Sequence, residues 1–223
     1  YWHTCDVCMI SANVSAFSIG KAVGRGGEVP MSWQYSGTSF SVVSQDSLPK
    51  GITWDGTYFW LAGDGTNTVY RYDSGGTYTG FSFSVITPYD ITFDGTYLWV
   101  LTSSDRAYKY NLSGAYQGFN FYFGAQDGSP QGITWDGTHL WLVGRSTGSA
   151  YKYTTAGVYT GTSFSLASEE IRPEGITWDG THFWVVGYAT IAVYQYTSAG
   201  VYTGVSFAVT QGETLPTGIT WDE

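Results

Sequence analysis

The chain has 223 residues, 43% hydrophobic and 12% charged, enough to bury a substantial core in one domain. Its formal charge of −9, with nine Lys and Arg that do not cluster, opposes contact with a phosphate backbone and excludes a nucleic-acid partner. No apolar run approaches the roughly 18 residues that a membrane-spanning helix needs, so membrane insertion is not expected.

Aromatic residues at 18% and thirty glycines fit strands that bury both faces and turns that need unusual backbone angles. Cys5 and Cys8 form a single C-x-x-C pair. With His3 adjacent and only Asp6 imaginable as a fourth ligand, the pair falls short of a zinc site. It also lacks a thioredoxin-like context, so the thiols are read as buried or incidental. The chain opens on Tyr1 without an initiator Met or a leader, which fits a processed secreted protein or a segment of a longer one.

In chain order, residues 1–32 are irregular. Ser18 to Gly27 passes from an apolar run into a Gly-rich loop with no strand before it and no helix after it, so a phosphate-binding loop is not expected. From Trp33 a repeat takes over. Trp33 to Val42 aligns with Gly157 to Leu166, so the chain enters this pattern near the end of one repeat. Close copies of Gly-Ile-Thr-Trp-Asp-Gly-Thr follow, with their isoleucines at Ile52, Ile91, Ile133, Ile176 and Ile219, at intervals of 39, 42, 43 and 43 residues. A period of roughly 40–45 residues of short aromatic strands and Gly-rich turns predicts an all-β propeller of four-stranded antiparallel blades.

Each repeat reads as strands a to d from the channel outward, as in Gly175–Asp179 (a), His182–Gly187 (b), Val193–Tyr196 (c) and Val201–Val209 (d). An Asp-Gly turn joins a to b, and Pro-x-Gly precedes strand a at Pro49, Pro130, Pro173 and Pro216. The second copy, at Ile91, departs from this, with Phe93 for Trp and Pro88-Tyr89-Asp90 for Pro-x-Gly. Repeat blades are expected at 51–90, 91–132, 133–175 and 176–218. A composite closing blade is expected from 1–50 plus 219–223, with Tyr1-Trp2 in the place of Phe-Trp, giving five blades in one domain spanning 1–223. Supplying the last inner strand from the other end of the chain removes a sheet edge.

Over residues 33–223, the order Pro-x-Gly-Ile-Thr-Trp-Asp, Phe-Trp-Val-Val-Gly, Val-Tyr-Gln-Tyr resembles the NHL and YVTN group of propeller repeats. It is also similar to tandem repeats of uncharacterised bacterial surface proteins and phage fibre-type proteins. The resemblance implies a propeller and brings no catalytic residues. It also implies an extracellular, cell-surface or virion setting, with neighbouring subunits of a larger assembly as partners.

In a propeller the d–a and b–c connections share one rim, here called the top. These loops vary between repeats while the a–b and c–d turns hardly do, and variation on a fixed scaffold is where recognition lives. The candidate ligand-binding residues, expected to be exposed there, are Asp64, Asn67, Asp105, Arg106, Asp127, Arg145, Glu170 and Tyr188. Nine acids fall in the top loops, so calcium is a candidate cofactor if their oxygens converge. No metal ligands are assigned. The bottom acids Asp55, Asp94, Asp136, Asp179 and Asp222 fit a turn role instead. The repeated tryptophans are expected to pack between blades, and His139 and His182, which replace Tyr58 and Tyr97, to serve packing or turn exit.

No Ser/His/Asp set or singled-out acid pair emerges, so no enzyme is expected. The leading expectation is a lectin-like or adhesion module that binds a glycan or surface protein through its top rim. The alternatives are a structural or decoration component of a fibre or cell surface and, third, a metal-dependent lactonase-like enzyme.

Overall fold

In the computed structural model, the described residues are 6–11, 15–21, 33–209 and 215–222, with side chains described from 39 to 209 and 215 to 221. Asp6–Ser11 (β1), Ser15–Lys21 (β2) and Trp33–Ser41 (β3) come first. Pro49–Trp54 (β4), Phe59–Gly63 (β5), Thr68–Tyr72 (β6) and Tyr78–Ser84 (β7) then form one antiparallel sheet. Pro88–Phe93 (β8), Leu98–Thr102 (β9), Arg106–Tyr110 (β10) and Tyr116–Tyr122 (β11) form the next. Pro130–Trp135 (β12), Leu140–Gly144 (β13), Ser149–Tyr153 (β14) and Tyr159–Ser165 (β15) follow, then Pro173–Trp178 (β16), His182–Gly187 (β17), Ala192–Thr197 (β18) and Tyr202–Ala208 (β19). Pro216–Asp222 (β20) pairs with β1, in a sheet of order β20-β1-β2-β3. The protein is an all-β propeller with four-stranded antiparallel blades. Its inner strands neighbour one another in the order β20, β4, β8, β12, β16 and back to β20.

The register of the β20–β1 pair corrects one expectation. Val7 faces Trp221 and Cys8 faces Thr220, as Phe183 faces Trp178 and Trp184 faces Thr177. Val7-Cys8, not Tyr1-Trp2, therefore occupies the Phe-Trp position, and Tyr1 to Cys5 lie outside the described residues. A hydrophobic match taken without its pairing register missed this offset. Likewise the apolar run at 18–21, expected to have no strand before the Gly-rich loop, belongs to β2, while the Gly-rich part at 22–32 lies outside the described residues.

Side-chain alternation explains why the b strands are apolar at nearly every position. In β5, Phe59 and Leu61 pack in one cluster with Phe40 and Val42 of the preceding sheet. Trp60 and Ala62 point the other way, into a cluster with Ile91, Leu98 and Val100 of the following sheet. The same handover recurs at the next interfaces, with Trp99 against Leu140, Trp141 against Phe183, and Trp184 against Ile219. The strand-b tryptophans are fully buried, whereas Trp54, Trp135, Trp178 and Trp221 are half-buried.

The bottom turns follow one pattern. Asp136 Oδ1 accepts the backbone N–H of Thr138 at 2.8 Å and of His139 at 2.6 Å, and Oδ2 accepts Trp141 Nε1–H at 2.7 Å. Asp55, Asp94 and Asp179 repeat all three bonds. The ring of acids is thus a set of turn locks that also satisfy buried indoles.

Candidate functional site

The top rim is built by the d–a loops. Three of them place six residues between a buried apolar anchor and the next Pro: 43–48 after Val42, 124–129 after Phe123 and 167–172 after Leu166. Each carries one buried carboxylate that ties its own loop to the b–c loop of the following blade. Asp127 Oδ1 accepts Ser129 N–H at 2.8 Å, and Oδ2 accepts the backbone N–H and hydroxyl of Thr147 at 2.8 and 2.7 Å. Asp46 does this with Leu48 and Thr66, and Glu170 with Arg172 and Thr190.

Asp127 and Glu170 are therefore corrected as exposed recognition residues: they are 2% and 1% exposed, and both oxygens of each are occupied by loop donors. A carboxylate placed among several unsatisfied N–H groups is drawn inward rather than presented to solvent. Its closeness also fixes the residue beneath it. A Cβ at Gly144 would collide with Asp127, at Gly63 with Asp46, and at Gly187 with Glu170.

The remaining candidates spread over three sectors. Asp64 is half-buried, its N–H held by Leu48 O at 3.1 Å, and exposed Asn67 has φ of 56°. Asn67 Oδ1 accepts Thr87 N–H at 2.7 Å. Asp105 and Arg106 are both half-buried. Desolvation raises the Asp105 carboxyl above its ordinary value, with a smaller push from the negative charge of Asp127. The Arg106 guanidinium donates to Asn120 Oδ1 at 2.7 Å and lies 5.6 Å from the Tyr122 ring centroid.

The structure brings Arg145 and Tyr188 together. The Arg145 guanidinium lies 5.5 Å and the Arg172 guanidinium 4.2 Å from the Tyr188 ring centroid. Arg145 also pairs with Glu174, which is 4% exposed. Burial raises the Glu174 carboxyl above its ordinary value, opposed by Arg145 and, more weakly, by Lys50 and Arg172. Arg145 thus pairs directly with this buried acid, and Lys50 and Arg172 add positive charge that acts on it from farther off.

Two features escaped the candidate set. Asp90 stands where other repeats have Gly and is 1% exposed. Its Oδ2 accepts Ile133 N–H at 2.8 Å, while Oδ1 has no partner among the described residues and abuts Gly51. Burial raises its carboxyl well above the usual range. The Pro88-Tyr89-Asp90 departure was the available signal.

The second is a cleft. Only Ile86 and Thr87 lie between the anchor Val85 and Pro88, so no acid arrives to cover the loop at Thr102. Thr102 stands where its sister blades need Gly, and its hydroxyl lies 2.8 Å from that of Ser104. In sister blades Tyr72 and Tyr153 bond Gln45 and Gln126 of the long loop. With the loop gone, Tyr108 and Tyr110 line an open space of about 250 Å³ together with Val85 to Thr87, Thr102 and Ser104. The 39-residue interval was its trace in the sequence.

Among the described residues, no three His, Cys, Asp or Glu side chains group so as to hold a metal.

Fold and rim define the class: a β-propeller whose bottom is uniform and whose top departs from symmetry. No protein-family model matches the chain, and no curated protein matches it in sequence. It is similar in structure to a chain of a nidogen–laminin complex, with TM-score 0.64 and 15% identity over 99% of both chains. It is also similar to virginiamycin B lyase from Staphylococcus aureus, with TM-score 0.55 and 18% identity over 96% of this chain and 75% of that one. A streptogramin B lyase aligns with TM-score 0.54 and 19% identity over 93% of this chain and 66% of that one. At these identities the likeness establishes the fold alone.

Proposed function

We propose that the protein is a non-enzymatic recognition module that binds a glycan or another surface molecule through its top rim, in an extracellular, cell-surface or virion setting. The proposed ring is five-bladed, closed by the composite blade of β20, β1, β2 and β3. The cyclic order of the inner strands supports that count, and the NHL- and YVTN-like strand order supports a repeat scaffold of this kind.

One observation carries the reading: the two rims differ in what their polar groups do. At the bottom, Asp55, Asp94, Asp136 and Asp179 each use both carboxylate oxygens on the same three local donors. At the top, the Arg145–Tyr188–Arg172 cluster and the open cleft break the repeat and leave partly exposed polar and aromatic groups on a rigid frame. Asp64, Asn67, Asp105, Arg106, Arg145 and Tyr188 are the residues proposed to meet a ligand, singly or as several weak sites acting together.

The test is binding of the folded protein to a broad panel of glycans and surface polysaccharides, with calcium and with a chelator. Saturable binding lost on top-rim substitutions, at Arg145 and Tyr188 or around the open cleft, and kept on substitution of exposed bottom-turn residues such as Thr138, is the expected result. Calcium dependence would bring the top-loop acids into the site. Absence of binding across the panel overturns the reading.

A second reading, a structural component that contacts neighbouring subunits, is favoured by the exposed apolar residues of the top loops. Val43, Leu48, Ile86 and Ile171 are each more than half exposed. Concentration-dependent self-association that is lost on Ile86→Ser and Ile171→Ser would support it.

A further inference from the structure

The cleft beside Thr102 has a composition of its own. Five of the seven residues that line it carry a hydroxyl, Thr87, Thr102, Ser104, Tyr108 and Tyr110, and none of the seven is charged. The rest is apolar, from Val85, Ile86 and the two tyrosine rings. Each hydroxyl both donates and accepts, so the set suits a neutral partner with hydroxyls of its own and offers an ion no counter-charge. Aromatic rings beside hydroxyls match a ligand that is apolar on one face and polar at its edge. The volume of about 250 Å³ lies just below the roughly 300–1,000 Å³ of ordinary small-molecule pockets, which limits the occupant to about one ring.

The walls are also held in place. Thr87 has φ of 44°, an uncommon conformation for a β-branched residue. It is kept there by Asn67 Oδ1 on its N–H at 2.7 Å and by Ser103 Oγ on its hydroxyl at 2.5 Å. Backbone strain kept by surrounding bonds, at the one described blade whose covering loop is short, is what a preformed site requires.

We propose that this cleft binds a single hexopyranose residue of a neutral glycan. The tyrosine rings pack on the sugar's C–H face, and Thr87, Ser104 and the tyrosine hydroxyls exchange hydrogen bonds with its hydroxyl groups. The assignment rests on the glycan-recognition reading above and narrows it to one place and one chemical class. In the three sister blades with long loops, the corresponding space is filled by the loop carrying Asp46, Asp127 or Glu170, so those blades offer no such site.

The experiment uses the full chain and the methyl glycosides of glucose, galactose and mannose, titrated by calorimetry and by saturation-transfer NMR. At least one glycoside is expected to bind, about tenfold more weakly after Tyr108→Ala and after Ser104→Trp, which fills the cleft from an exposed position. A third variant replaces Ile86-Thr87 with the 43–48 loop sequence and carries Thr102→Gly; it should abolish binding while the thermal transition stays cooperative. If no methyl glycoside binds, or if binding survives a filled cleft in a folded variant, the assignment is overturned. Panel glycans that still bind every cleft-filled variant overturn this site and leave rim recognition standing. A panel with no binder at all overturns both.

Discussion

Asp90 Oδ2 accepts a 2.8 Å hydrogen bond from the backbone N–H of Ile133, so a carboxylate from one blade's inner strand holds the start of the next blade's inner strand. Its other oxygen has no partner among the described residues. Burial raises the folded carboxyl well above the ordinary value of 3.8. Between the two values the unfolded chain has lost the proton that the folded chain keeps. Stability therefore falls as pH rises from about 4 through the folded value, and is then level. Asp90→Asn keeps an acceptor for Ile133 and removes the titration. The melting-temperature difference, variant minus wild type, should be smallest at pH 3 and larger and positive at pH 8, by about 2–4 °C for each kcal/mol relieved. A difference that does not change with pH would contradict this.

Asp136 satisfies two turn N–H groups and the indole of Trp141, which is 2% exposed. Asp136→Ala should cost about 2–4 kcal/mol, from three bonds of about 0.5–1.5 kcal/mol each. Asp136→Asn should cost less, since its carbonyl keeps one set of donors. Urea unfolding followed by tryptophan fluorescence measures both, and a cost for Asp136→Ala below about 0.5 kcal/mol would show the lock to be dispensable.

Gly144 and Thr102 occupy equivalent positions at the top of strand b under opposite constraints. Gly144→Ala drives a methyl into the Asp127 carboxylate and should destabilise by about 1–3 kcal/mol. Thr102→Gly meets no such neighbour and should change stability by about 1 kcal/mol or less. Hydrogen exchange at Ser146 and Thr147 should rise in Gly144→Ala, because the capping carboxylate is displaced from those two amides. Equal effects for the two substitutions would remove the physical distinction between the capped and uncapped blades.

Glu174 is buried and Arg145 is its paired cation, itself about one-third exposed. Arg145→Met should leave a buried carboxylate without its partner and cost about 2–3 kcal/mol, the low side of values for buried pairs because of that exposure. Adding Glu174→Gln should restore most of the loss. The coupling energy from a double-mutant cycle is the measurement, and a value near zero would mean that the pair is solvated.

The repeat made the blades legible because both strand periodicity and turn chemistry are local. Asp136-Gly137 specifies its hairpin from the residues on either side, and the unbroken apolar run from Phe59 to Gly63 already implies two buried faces. Legibility ended where an outcome depends on what lies opposite. Asp127 and Arg145 both read as exposed charge in a variable loop, yet Asp127 turns inward onto Ser146 and Thr147 while Arg145 stays partly exposed and pairs with Glu174. The choice was made by N–H donors roughly twenty residues away in sequence. Tyr1-Trp2 matched the Phe-Trp pattern, but pairing with Trp221 and Thr220 gave that position to Val7 and Cys8.

The sequence by itself thus determined the repeat, its four-strand grammar, the locks beneath it and the rim on which variation collects. Only the tertiary structure decided that the short interval before Ile91 becomes a hydroxyl-lined cleft, that Asp90 is sealed between neighbouring strands, and that Arg145, Arg172 and Tyr188 meet. Periodicity fixes which residues share a strand face. Which loop covers which neighbour is set by packing between blades, where burial and hydrogen-bond satisfaction act between residues distant along the chain.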